Sequence, residues 1–78
     1  MEDKFLVGRW VDHTHGWRKV PDVVVVASSP DAAFEEFSSD YQGEAGKFAV
    51  KYADEDTHGG GWDYHYEIRN DGSVRSVE

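Results

Sequence analysis

The residues best suited to chemistry in this chain are its histidines and carboxylates. Asp12, His13, Thr14 and His15 contain a His-x-His pair, and Asp54, Asp56 and His58 form a second group. Imidazole and carboxylate both ligate zinc, and strand residues two apart point to one face. His13, His15, Asp56 and His58 are thus the candidates for a zinc-type site, set against the simpler reading of exposed turn histidines. No spacing fixes a third ligand. The loop from Asp54 to Gly61 has acids at its first and third positions, like a calcium loop, but lacks the later acidic ligand and the flanking helices. Its three glycines precede a strand, whereas phosphate-binding loops follow one and open a helix.

Nucleophilic catalysis has little to draw on. The chain has no cysteine, and Ser28 and Ser29 are explained by helix capping. The row His65, Glu67 and Arg69 contains an acid–base pair, but mixed charges on a solvent-facing strand are ordinary. The expectation is a non-enzymatic protein that needs no cofactor.

Charge offers a sharper lead. Sixteen Asp and Glu stand against eight Lys and Arg, a net charge of −8 over 78 residues. Direct binding to a phosphate backbone depends on basic side chains, so net charge argues against it and favours a protein partner with a basic surface. Asp31, Glu35, Glu36 and Asp40 share one helical segment that has no internal Lys or Arg. Spaced carboxylates on a small rigid domain can imitate nucleic acid and occupy a basic groove, which makes an inhibitor or nucleic-acid mimic the leading expectation. A merely solvated helix face is the plainer alternative.

The elements that must position these groups follow from periodicity. Trp62, Tyr64, Tyr66 and Ile68 alternate with Asp63, His65, Glu67 and Arg69, which predicts a half-buried strand with its aromatics inward. Asn70, Asp71 and Gly72 then make a hairpin loop that sets Ile68 opposite Val74 and Glu67 opposite Arg75. Further strands are expected over Lys4–His13, Val20–Ala27 and Lys47–Ala53. A helix opens at Pro30 behind Ser29 and runs to about Tyr41, stopping near Gly43. Its apolar arc is Ala33, Phe34, Phe37 and Tyr41.

The resulting order, ββαβββ, predicts one α+β domain over residues 1–78: a five-stranded, mainly antiparallel sheet with one helix on one face. The helix returns the chain to the starting end, which gives the strand order 2-1-3-4-5. The first two strands read as apolar on both sides, so either Phe5 and Val7 or Leu6 and Trp10 must lie on the sheet's back beside two of the four valines, with Leu6, Trp10, Val24 and Val26 the candidate contact residues. Such a patch suggests a homodimer or partner contact through this half, unless the loop over residues 54–61 or the turn at Trp17 covers it. Met1, Glu2 and Asp3 do not resemble a signal peptide's basic start, and the apolar run Val23–Ala27 is too short to span a bilayer. The expected location is cytoplasmic.

Overall fold

A computed structural model describes residues 2–54 and 61–77. The strands are β1 (Asp3–Trp10), β2 (Trp17–Ala27), β3 (Gly46–Tyr52), β4 (Tyr64–Ile68) and β5 (Val74–Val77), and α1 spans Pro30–Asp40. They form one five-stranded sheet in the order β2-β1-β3-β4-β5, with every pairing antiparallel. The α+β architecture and the strand order both match the sequence expectation. No helix among the described residues is long and apolar enough to cross a membrane.

The helix begins as its sequence dictates. Ser29 is extended and its Oγ accepts a hydrogen bond from the Ala32 N–H at 3.1 Å, which satisfies one donor of the first turn. Pro30 follows, where a missing N–H costs nothing. The end falls within a residue of expectation. Tyr41 turns extended (φ −77°, ψ 128°) and closes the helix at Asp40, so the cap is this tyrosine and Gly43 is not needed for it. The tyrosine is held elsewhere: its ring lies edge-on to Phe48, and its hydroxyl accepts from Arg9 Nη1 and donates to the Glu44 carbonyl at 2.8 Å.

The core lies between α1 and one face of the sheet. Phe5, Val7, Phe34, Phe48 and Val50 are fully buried, and each such side chain contributes about 1.5–3 kcal/mol on burial. Phe34 stacks flat on Tyr66, with centroids 4.4 Å apart and 7° between planes. This settles which parity of β1 faces the helix: Phe5 and Val7 face it, and Leu6, Gly8 and Trp10 face away.

Two hairpins lie wholly among the described residues. In the β4–β5 hairpin, Ile68 pairs with Val74 and Glu67 with Arg75, as the loop length requires. Gly72 takes φ +87°, a conformation costly for side-chain-bearing residues, and Asp71 Oδ1 accepts from the Ser73 N–H. In the β1–β2 hairpin the register shifts between Leu6, which faces Val24, and Gly8, which faces Lys19. The chain from Val20 to Val23 therefore bulges opposite Val7, with Asp22 at φ +62°.

Candidate functional site

Each candidate residue takes its setting from the side of the sheet it occupies. On the helix side, Asp31, Glu35, Glu36 and Asp40 are all exposed. Asp31 also ties the helix to the sheet, because its Oδ1 accepts a 2.6 Å hydrogen bond from the Tyr66 hydroxyl. Burial first, and the adjacent Asp31 carboxylate second, push the Tyr66 phenol well above its usual pKa. Glu36 and Asp40 rim a groove of about 650 Å³ between α1 and the outer edge of β2. Val23, Val25, Phe37 and Tyr41 supply its apolar wall and Asp22 a third carboxylate, and no lysine or arginine lines it. The helix side also holds Arg9, but that guanidinium donates to the Tyr41 hydroxyl and the Glu44 and Ala45 carbonyls, and lies 5.2 Å above the Phe48 ring.

The back of the sheet carries the other candidates. Leu6 and Trp10 are half-buried, while Val24 and Val26 are about half exposed, at 53% and 48%. Trp10 sits opposite Trp17, their rings edge-to-face at 5.2 Å. His65 lies 5.2 Å beyond Trp17 and hydrogen-bonds through Nε2 to the Trp62 carbonyl at 2.6 Å.

Trp62 corrects the sequence reading. Alternation placed it with Tyr64 and Tyr66 in the core, yet β4 starts only at Tyr64, and before that point the strand's parity does not bind the chain. The Trp62 ring lies on the back, over Gly8, where a Cβ would meet ring carbons at 2.9 Å. Gly8 is the residue that admits the ring this close. Tyr64 also departs from the expected core: it is 39% exposed and touches Tyr52 edge-on at the margin. The turn aromatic Trp17 and the incoming Trp62 thus cover part of the β1–β2 back, leaving Val24 and Val26 open.

The expectation that the outer faces of β1 and β2 lack polar residues also fails. Lys4 pairs with Val26 and Lys19 with Gly8, which puts both lysines on the back. Lys47 and Lys51 of β3 join them there, with Arg75 of β5. Every lysine of the chain therefore lies on this one face. Lys51 Nζ stands 4.8 Å over the Trp62 ring. Lys4, Lys19 and Lys47 form no ion pair among the described residues. The carboxylate of this face on β4, Glu67, lies between Lys47 and Arg75 in register and pairs with Arg69 at 3.5 Å.

The histidines of the first hairpin have separate partners. His13 packs edge-on to Trp10, whereas His15 Nδ1 contacts Asp12 Oδ1 at 2.9 Å. Asp12 Oδ1 also accepts from the backbone N–H groups of Thr14 and His15. Hydrogen bonding from His15, through its backbone and then its ring, holds the Asp12 carboxyl below its usual pKa. Among the described residues, no three histidines or carboxylates gather in a metal-ligating group. Asp56 and His58, the remaining metal candidates, lie outside the described residues.

Sequence reasoning found the acidic helix and the apolar back but missed the lysine face. The lysines are scattered from position 4 to position 51, and only the sheet order 2-1-3-4-5 assembles them. A comparison of the chain with protein-family models, curated proteins and solved structures gives no match.

Proposed function

We propose that this protein is a non-enzymatic binding module whose acidic helix side engages a basic segment of a partner protein. The groove between α1 and β2 carries this reading. It joins an apolar wall to three carboxylates, from Asp22, Glu36 and Asp40, without a lining cation. A segment that alternates apolar and basic residues would place the former on Val23, Val25 and Phe37 and the latter at the rim. The exposed Glu35 extends the negative surface along the helix. Where that basic segment is the partner's nucleic-acid-binding surface, covering it would make the protein an inhibitor or a mimic of nucleic acid.

Charge reversal tests the reading directly. Glu36→Lys with Asp40→Lys should leave the fold intact, because Asp40 opposes the negative end of the helix dipole and a lysine there complements it. A pulldown from the native host should recover a basic protein at low salt, lose it at high salt, and recover at least tenfold less with the double variant. Recovery that is indifferent to both salt and the reversal would remove the proposal.

A further inference from the structure

The helix side accounts for the acids but leaves the lysine-bearing back of the sheet without a role. Net charge describes the whole chain, whereas a ligand meets one face. The molecule measures 34 × 29 × 25 Å, and the carboxylates of α1 lie across the sheet from the lysines. At physiological ionic strength charges are screened over about 8 Å, so the acids of the far side weigh little on a ligand at the back.

Three observations on this face coincide. The first is that all the lysines are here, and Lys4, Lys19 and Lys47 form no ion pair with a described carboxylate, although Glu67 lies opposite Lys47 and acids outnumber bases two to one. The second is that Trp10, Trp17 and Trp62, the whole tryptophan content, lie on the same face and none is fully buried. The third is a cleft of about 290 Å³ among Trp10, Trp17, Lys47, His65, Glu67 and Val77. Trp10, Trp17 and His65 supply rings to its lining, Val77 an apolar side chain, and Lys47 and Glu67 one charge of each sign.

We infer that the back of the sheet binds single-stranded nucleic acid, with a base stacked in the Trp10–Trp17–His65 cleft and phosphates held by Lys19, Lys47 and their neighbours. Aromatic platforms interleaved with cations are the recurrent solution for unpaired strands, since every base has a ring face and every nucleotide a phosphate. A duplex hides its base faces and cannot use the cleft. The acidic helix of a second copy offers carboxylates to the lysines but no planar ring to the tryptophans, so the strand is the better occupant.

Because every tryptophan is on this face, intrinsic fluorescence reads it without a label. Oligothymidylate, titrated at about 0.1 M salt and above, should quench the emission saturably. Contact with about three phosphates gives a slope near −2 for log K against log salt. Lys19→Glu with Lys47→Glu changes two exposed side chains and should weaken binding at least tenfold with an unchanged far-ultraviolet spectrum. Trp17→Leu should cost about tenfold or more through the lost stack, read by the anisotropy of a labelled oligonucleotide. Three results would overturn the inference. They are absence of quenching at about 0.1 M salt, equal binding of a duplex or of polyglutamate, and self-association in sedimentation that Lys47→Glu abolishes while oligothymidylate does nothing.

Discussion

The two sides of the sheet use the same kind of side chain for opposite ends. On the helix side, Phe5, Phe34 and Phe48 are fully buried and the one polar ring among them, Tyr66, has its hydroxyl satisfied by Asp31. On the back, Trp10, Trp17 and Trp62 touch one another, His65 or Lys51 and remain half open to solvent. Polar satisfaction differs in parallel. Arg9 makes several hydrogen bonds into the protein, while Lys4, Lys19 and Lys47 make no ion pair with described residues. Aromatic content alone therefore does not reveal whether rings provide cohesion or contact. The degree of enclosure and the fate of the neighbouring cations do.

The sharpest way to break this contrast is to delete one ring from each side. Phe34→Ala empties a sealed site against Tyr66, Phe37 and Phe48 and should cost about 3–5 kcal/mol in urea denaturation. That is a large share of the stability expected for a domain this small, so the variant should be substantially unfolded at room temperature. Trp17→Ala should cost less, about 1–2 kcal/mol, because its ring is only partly enclosed. Equal losses would mean that both faces are cores.

A smaller effect isolates the polar tie beneath the helix. Tyr66→Phe keeps the stack on Phe34 and removes the hydrogen bond to Asp31, for a loss of about 1 kcal/mol. The same variant should change the response to alkali. The folded state raises the Tyr66 pKa, so it holds a proton that the unfolded chain releases near pH 10. This contribution is fully present below about pH 10 and fades as pH rises toward the raised value. Wild-type stability should fall on that alkaline limb, and the phenylalanine variant should fall less steeply.

Gly8→Ala probes the back with the gentlest change. The new Cβ meets the outer carbons of the Trp62 ring at 2.9 Å, and the ring can swing toward solvent to relieve the clash. Stability should drop by about 1 kcal/mol, at the low end for overpacking, with a red shift of tryptophan emission. Placing Trp62→Leu in the same chain should abolish most of the penalty. A loss as large as that of Phe34→Ala would show that Trp62 is fixed as firmly as the core rings.

How much of this was legible in the sequence depends on how far the causes lie apart along the chain. The Ser29 cap, the Pro30 start and the Asn70–Gly72 loop act within a few residues, and each is where local chemistry puts it. Alternation identified β4 but was carried two residues too far, and at Trp62 the nearby Gly8 decided the side instead. The Tyr66–Asp31 bond joins positions 35 apart, so the acidic helix face was readable while Asp31's second occupation was not. The lysine face is the extreme case. Its lysines come from three strands and from a bulge at Val20–Val23 that sets Lys19 and Val24 on the same side, against simple alternation.

That bulge also governs what the exposed margin of the sheet can do. β2 is an edge strand rich in valine, a template on which further strands could add. Pro21 removes a donor from the bulged stretch, and Asp22, in the left-handed region, turns the backbone out of the ladder line. The bulge divides β2 into the paired stretches Trp17–Lys19 and Val24–Ala27, each too short for long cross-β register. Straightening the irregularity should therefore shorten the lag before aggregation even where the folded state gains stability.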